Sequence, residues 1–195
     1  INRLNEIVIE SFMNLDVTAI RNLELVRNMR DGSKRGTLLD VLDFTNTSMG
    51  ARKLRSWIEC PLLDLGKIYE RQDAVAELLD NSTLREAVVE RLKAIYDLER
   101  IVSRLEVGSA NARDLVSLRT SLAVLPEVKA VLANCKSRKL QRIYNNLHVH
   151  EDIYVALEAA IVDEPPFSVR EGGMIRSGYN AELDELHIIA KDNKS

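Results

Sequence analysis

The chain has 195 residues, 46% of them apolar, and its 27 Lys and Arg are outnumbered by 30 Asp and Glu, which gives a net charge of −3. This composition is typical of globular proteins and excludes disordered and collagen-like chains. The acidic balance also counts against a protein that grips nucleic acid through many phosphates, because each neutralised phosphate needs a Lys or Arg.

Sorting signals and cysteine pairs are absent from the sequence. Cys60 and Cys135 stand alone, a pattern that favours buried free thiols over a disulfide framework or a zinc knuckle. No run of about 18 uncharged apolar residues and no signal peptide is found, so we expect a cytoplasmic protein without a membrane partner. The start at Ile1 and the charged end at Ser195 favour a piece of a longer protein.

Helical periodicity dominates the middle of the chain. No Gly or Pro lies between Gly66 and Gly108 or between Pro126 and Pro165, which favours long helices. Apolar residues recur there at spacings of three, four and seven, as on one face of a helix. The predicted faces are Ile68-Val75-Leu78-Leu79, Leu84-Val88-Leu92-Ile95, Leu98-Ile101-Val102-Leu105, Leu115-Leu118-Leu122-Leu125, Val128-Val131-Leu132-Cys135, Leu140-Ile143-Leu147, Ile153-Leu157-Ile161 and Leu183-Leu186-Ile189.

Capping residues precede several of these faces. A side-chain oxygen at the N-cap accepts a backbone N–H that the first turn leaves free, and Ser, Thr, Asp and Asn do this best. Pro126 fits a helix break or a kink. The predicted caps are Asp64, Thr83 with Glu86 in a capping box, Asp97, and the pair Asn111 and Asp114.

Two segments lack the helical pattern and are predicted as β structure. Phe12 to Leu15 reads as a short strand, and residues 168–178 as a small hairpin, because Gly172-Gly173 suits a primed turn. The predicted fold is mainly α, an irregular bundle of about 8 to 10 helices with this strand and hairpin. Pro165-Pro166 marks the only plausible internal boundary, so we predict a helical body over 1–164 and a hairpin with a trailing helix over 165–195.

The sequence contains few candidates for catalytic or metal-binding residues. No phosphate-binding loop is present, because Gly66-Lys67 is followed by Ile68 and lacks the first glycine of the motif. The segment His148-Val149-His150-Glu151-Asp152 places four potential metal ligands within five positions. Residues two apart on a helix point to different sides, so a helix start with acids near the positive dipole end is favoured. The acidic pairs Asp163-Glu164 and Asp184-Glu185 are expected to be exposed charge.

One basic cluster is dense enough to consider for phosphate contact. Lys136, Arg138, Lys139 and Arg142 place four cations within seven residues with no acid among them. Only Tyr144 is an aromatic neighbour, so a solvated face is favoured over a nucleic-acid surface. We keep these four residues as a candidate weak phosphate-contact patch.

The irregular segments between the predicted helices resemble those of a known family, and amphipathic periodicity does not explain their residues. The residues that carry it are Leu15-Asp16, Arg21-Asn22-Leu23-Glu24-Leu25, Leu38-Leu39, Leu42-Asp43, Thr45, Thr47, Met49-Gly50, Arg52, Leu54-Arg55, Trp57, Pro61-Leu62, Arg71-Gln72-Asp73-Ala74-Val75, Tyr96-Asp97-Leu98-Glu99-Arg100, Arg113-Asp114-Leu115, Pro165-Pro166 and Arg170-Glu171-Gly172-Gly173. In this order they closely resemble the core domain of the MutS family of DNA mismatch repair proteins, over roughly residues 12 to 190. Thr47 or Ser48 is then expected to cap the helix that holds Trp57.

The resemblance implies a mechanical role within a larger machine. MutS proteins are homodimers that encircle mismatched DNA with a mismatch reader, a connector, this helical core with its levers, a clamp and an ATPase. By this map the chain ends at the start of the lever helix that leads to the clamp, and it couples ATPase state to the grip on DNA. The parent is expected to use ATP and magnesium, whereas this segment holds no catalytic, cofactor or metal residue and is not itself an enzyme.

Two rival functions remain open at this point. A stand-alone helical interaction module unrelated to repair predicts a closed fold with every apolar stripe covered. The core-segment hypothesis predicts instead that Leu183, Leu186 and Ile189 lie exposed or pair with a symmetry mate. A hydrolase or metal enzyme would require a metal at His148 and His150.

Overall fold

Ten α-helices form most of the residues that the computed structural model describes, which are 11–192. The helices are α1 (Val17–Asn22), α2 (Leu38–Leu42), α3 (Ser48–Glu59), α4 (Leu65–Asp80), α5 (Ser82–Leu92), α6 (Leu98–Glu106), α7 (Ala112–Leu132), α8 (Arg138–Asn146), α9 (Glu151–Ala160) and α10 (Ala181–Asp192). The prediction of a mainly α fold is therefore confirmed. No helix in this described part is long and apolar enough to cross a membrane.

Most of the predicted caps are confirmed. Carboxylate oxygens of Asp64 and Asp97 accept backbone N–H groups in the first turns of α4 and α6, at 3.1 and 3.3 Å. Thr47 does the same for α3, at 3.0 Å. Asn111 and Asp114 accept each other's backbone N–H groups at the start of α7, at 3.1 and 3.0 Å. Local sequence alone decides these contacts, because each cap lies within three residues of its donor.

One predicted helix start is wrong, and of the two interpretations of Pro126, a break or a kink, the break is wrong. Helix α5 is capped by Asn81, whose side chain accepts the N–H of Leu84 at 2.9 Å, so Thr83 lies inside the first turn. Helix α7 runs through Pro126 without ending there, and it joins two apolar faces that the sequence had separated. Packing along the whole of α7 outweighs the one backbone hydrogen bond that a proline removes.

The predicted β structure is also wrong over residues 11–192. Phe12 makes one isolated antiparallel bridge with Leu62, and no strand extends from it. Pro61 has no N–H to extend the pairing. In place of the hairpin, Val169–Glu171 forms a short 3₁₀ helix, started by a capping box between Ser168 and Glu171.

The segment after Gly173 pairs with backbone that precedes the double proline. Ile175 makes an isolated antiparallel bridge with Ile161, and the two surrounding hydrogen bonds join Val162 to Met174 at 3.1 Å and Arg176 to Ala160 at 2.8 Å. Gly172 and Gly173 do adopt positive φ, at 68° and 73°, but they lie in the longer loop between Ile161 and Ile175 and not in a hairpin turn.

The residues group into two compact units, each with its own core. The first comprises residues up to 93 together with 127–147, and its buried apolar residues are Val26, Leu39, Ala74, Val128, Leu132, Cys135 and Leu140. The second comprises residues 94–126 together with those from 148 onward, and its buried apolar residues are Ile101, Ala112, Leu122, Leu125 and Ile161. The predicted division into residues 1–164 and 165–195 stays a prediction.

Candidate functional site

The candidate phosphate-contact patch surrounds α8, which packs on α4 within the first unit. Arg142 donates to both carboxylate oxygens of Glu70, at 3.0 and 2.8 Å, and a guanidinium nitrogen of Arg138 lies 3.8 Å from the same carboxylate. Lys136 and Lys139 form no ion pair within the part of the chain that the structure describes. Glu70 thus pairs with two of the four cations of the patch, Arg138 and Arg142. Phosphate contact by this patch stays a prediction.

A second carboxylate of α4 caps α8 from a distance. Glu77 accepts the backbone N–H groups of Lys136 and Ser137 at 2.6 and 2.8 Å, whereas Ser137 makes no side-chain cap of its own. Burial opposes ionisation of Glu77, but the hydrogen bonds from these two backbone groups and the positive charge of Lys136 outweigh it, so its pKa lies below the ordinary value. We call Glu70, Glu77 and their partners on α8 the α4–α8 cluster.

The histidine and cysteine positions do not assemble a reactive site in the described residues. His150 precedes α9 in a left-handed conformation with φ 50°, and its ring centroid lies 6.2 Å from that of His148. No group of three or more His, Cys, Asp or Glu side chains is placed to hold a metal over this range. Cys135 is buried and free, as expected, and burial raises its pKa. Cys60 is free but exposed, so the prediction that it is buried is wrong.

The most connected polar site of the second unit was not predicted. Arg119 on α7 is only 8% exposed. Its guanidinium donates to the carbonyl oxygen of Ile161 at 3.0 Å and to the carboxylate of Asp163 at 2.7 Å, and it lies 3.2 Å from the carboxylate of Glu158. The contacts with three acceptors offset the free-energy cost of burying the Arg119 guanidinium, and they hold all three acceptors in place.

Arg176 reaches the same acceptors from the chain segment that leads to α10. It donates to the Ile161 carbonyl at 2.9 Å and to Asp163 at 2.8 Å, and it lies 3.7 Å from Glu158. The hydrogen bond from Arg119 and the positive charge of Arg176 together lower the pKa of Asp163 below its ordinary value. We call Arg119, Arg176, Glu158, Asp163 and the Ile161 carbonyl the Arg119 cluster.

A third arginine of this unit holds the same stretch of chain at another point. Arg113 on α7 donates to the carbonyl oxygen of Pro165 at 3.3 Å, and its guanidinium lies 5.6 Å from the ring centroid of Phe167. Asp184 then accepts the backbone N–H of Gly178 at 2.7 Å, which ties the start of α10 to the turn before it. The start of the segment 161–176 is therefore held to α7 at Ile161, Asp163 and Pro165, and Arg176 ties its end to the first two of these residues.

The Arg119 cluster left a faint signal in the sequence. Arg119 lies four residues after Leu115 and three before Leu122, so a charged residue occupies the apolar face of its own helix. A cation on such a face requires acceptors. No sequence pattern identifies them, because Glu158, Ile161 and Asp163 are 39 to 44 residues away along the chain.

The last helix exposes an apolar face. Leu186, Ile188 and Ile189 of α10 are exposed, and Leu183 is half-buried. The core-segment hypothesis predicted exposure of Leu183, Leu186 and Ile189, and two of the three side chains meet that prediction fully. A closed module with every apolar stripe covered does not have such a face.

Comparison with known proteins places these features in a family. A family model described as MutS domain III matches residues 18–192. Curated relatives carry the name DNA mismatch repair protein MutS. That of Desulforamulus reducens is 46% identical over 100% of this chain and 23% of its own length, and that of an Exiguobacterium species is 48% identical over 96% and 22%. That of Symbiobacterium thermophilum is 47% identical over 94% of this chain and 21% of its own length.

The chain spans less than a quarter of the length of each of these relatives. The family model, in contrast, covers nearly all of the chain, including residues of both units and the whole of α10. The chain belongs to the MutS domain III family.

Proposed function

We propose that this chain is the central helical segment of a longer MutS-type mismatch repair protein, in which it couples the state of an ATPase to the grip on DNA. The family match and the names of the curated relatives support this assignment. The observation that carries the coupling role is the Arg119 cluster, which joins the segment leading into α10 to α7 within the second unit.

The proposed mechanism is rigid-body movement of packed helices. A force applied to α10 reaches residues 161–176 first. Because Arg119 and Arg176 hold the Ile161 carbonyl and Asp163 at 2.7 to 3.0 Å, that segment transmits displacement to α7 instead of absorbing it by local rearrangement. A loosely attached segment would damp the movement.

The proposal assigns the chemistry to other parts of the longer protein. ATP and magnesium would be held by an ATPase domain outside this chain, and mismatched DNA would be bound mostly by other domains. The partners of the chain would be the connector, the clamp and the ATPase of the same polypeptide, within a homodimer in the cytoplasm. The chain by itself would then neither hydrolyse ATP nor bind DNA tightly.

The test of coupling uses the full-length protein with Arg176→Ala. Allosteric coupling typically amounts to about 1–3 kcal/mol, so we expect the stimulation of ATP hydrolysis by mismatched duplex to fall by about fivefold or more. The basal ATPase rate and the DNA affinity without nucleotide should stay within about twofold, because Arg176 is placed in a joint and not in a binding site. Steady-state ATPase assays and fluorescence titration measure both.

The matched control is Arg100→Ala in the same unit. Arg100 is exposed, and its ion pair, 3.5 Å to Asp97, lies within its own helix. We expect full stimulation in this variant. Undiminished stimulation in Arg176→Ala would refute the coupling role, and so would an equal loss in both variants.

A further inference from the structure

A concave basic surface lies at the start of the first unit. A cavity of about 360 Å³ is bounded by α1 and by the loop that connects it to α2, and its lining includes Val17, Ile20, Arg21, Arg27 and Met29. Two arginines therefore border a space whose other walls are largely apolar. We call this the α1–α2 surface.

The loop that forms this surface is held by its own hydrogen bonds. The side chain of Asn28 donates to the hydroxyl of Ser33 and to the carbonyl of Arg35, both at 3.0 Å, and it accepts the backbone N–H of Asp31 at 2.9 Å. Glu24 adopts a left-handed conformation with φ 46°. A loop fixed in this way loses little conformational entropy when a partner binds.

The charges on the surface are unbalanced. Arg21, Arg27, Arg30 and Arg35 are exposed and form no ion pair with any described residue. The two loop carboxylates are engaged by backbone groups instead, since Glu24 accepts the N–H of Met29 at 2.6 Å and Asp31 accepts that of Ser33 at 2.9 Å. Charge complementarity therefore requires an acidic partner.

The apolar part of the surface favours a protein partner. Val17 is 82% exposed and Met29 is 58% exposed, and both line the cavity between the arginines. Protein interfaces are enriched in Arg and Met, whereas exposed apolar side chains contribute nothing to a phosphate contact, which is made by charged and polar groups. An aliphatic or aromatic side chain would fill the cavity, and carboxylates beside it would meet Arg21 and Arg27.

We propose that the α1–α2 surface docks an acidic segment of the same polypeptide, located outside residues 1–195 and carrying an apolar side chain beside its carboxylates. This inference rests on the proposed function, in which the chain is one segment of a longer protein. More than three quarters of each compared relative lies outside the matched region. A tethered segment also has a high effective concentration, so a small cavity suffices to hold it.

The test is photo-crosslinking in the full-length protein with p-benzoylphenylalanine in place of Met29. Copies labelled with heavy isotopes are mixed with unlabelled copies, and mass spectrometry identifies the cross-linked peptides. We expect a cross-link within one copy, to a segment outside residues 1–195 that contains Asp or Glu beside an apolar residue. Adding Arg21→Glu and Arg27→Glu should lower its yield by about fivefold or more.

Controls separate charge from folding. Lys53→Glu with Arg170→Glu makes the same change in net charge at exposed positions away from the cavity and should leave the yield unchanged. If the Glu variants unfold, Arg21→Gln with Arg27→Gln gives the same test with a smaller perturbation.

Three outcomes overturn the docking inference: a cross-link to a second copy, a cross-link to added DNA, or no protein cross-link. None of them alters the Arg176→Ala coupling assay. Failure of docking and failure of the proposed function are therefore distinguishable.

Discussion

The α4–α8 cluster and the Arg119 cluster use the same ion-pair chemistry in different surroundings. In the first, the side chains of Arg138 and Arg142 are 81% and 51% exposed, and solvent screens their attraction to Glu70. In the second, the Arg119 side chain is 9% exposed, whereas its carboxylate partners Glu158 and Asp163 are 50% and 71% exposed, so the cation is the buried member. Burial of the cation, and not the number of ion pairs, should decide which cluster stabilises its unit.

The two clusters also differ in how their basic residues are arranged along the sequence. Lys136, Arg138, Lys139 and Arg142 are adjacent in sequence and invite interpretation as a phosphate site, yet a carboxylate on α4 opposes two of them. Arg119 stands alone among apolar neighbours and has the more complete set of partners. A cluster in sequence is therefore a weaker indicator of structural importance than one cation on an apolar face.

The largest expected effect is on Arg119. In Arg119→Met the free energy of unfolding should fall by about 2–3 kcal/mol, because three acceptors lose a buried charged donor while Arg176 still satisfies part of the site. Urea unfolding followed by circular dichroism measures this. Arg100→Met, which removes an exposed arginine of the same unit, should cost less than about 0.5 kcal/mol. Equal losses in the two variants would show that burial does not distinguish them.

An intermediate effect is expected from the distant cap of α8. Glu77→Gln should lower the free energy of unfolding by about 1 kcal/mol at neutral pH, since a charged acceptor at a helix N-terminus is replaced by a neutral one. The folded-state pKa of Glu77 is lowered from 4.5, so its contribution is complete above pH 4.5 and is lost as pH falls through the folded pKa.

The difference in stability between wild type and Glu77→Gln should therefore shrink on acidification below pH 4.5. Unfolding curves recorded at several pH values measure it. Glu86→Gln, at an exposed position of α5, is the matched control and should show no such difference at any pH. A gap that stays constant through acidification would mean that Glu77 does not act through its charge.

The smallest effect on stability is expected from Glu70. Glu70→Gln should change the free energy of unfolding by less than about 0.5 kcal/mol, because its partners Arg138 and Arg142 are exposed. The variant also frees two cations. Its affinity for DNA duplex at low salt should therefore rise by about threefold over a weak wild type, as measured by fluorescence titration.

Replacing Lys136, Arg138, Lys139 and Arg142 with Gln should abolish that gain. Sub-micromolar binding by the unaltered chain would contradict the proposal that this segment mostly leaves phosphate contacts to other domains. Unchanged affinity in Glu70→Gln would remove the patch from consideration as a phosphate site.

Features set by near neighbours were predictable from the sequence. Asp64, Asp97 and the Asn111–Asp114 pair cap helices whose first turns lie within three residues. The apolar face of α10 follows from its spacing alone. Asn81 shows the limit of this reasoning, since three consecutive polar residues, Asn81, Ser82 and Thr83, all fit a cap and the end of α4 selects the first.

Features that depend on contacts between residues far apart along the chain were not predictable. Gly172 and Gly173 fit a hairpin turn locally, but Ile175 pairs with Ile161, on the far side of the double proline. Exposure of Cys60 likewise follows from how the chain leaves α3 and not from its side chain. In both cases the alternatives are locally similar in energy, so contacts far along the chain decide between them.

The sequence by itself determined the helical class, most helix starts and the resemblance to MutS proteins, because periodicity, caps and irregular motifs are local properties of the chain. It also placed a lone arginine on an apolar face. Only the tertiary structure decided which acceptors that arginine meets, which carboxylate caps α8 and which cations stay unpaired. Those choices depend on groups brought together across 39 to 72 residues. Distance and burial, which no spacing rule encodes, set the strength of each contact.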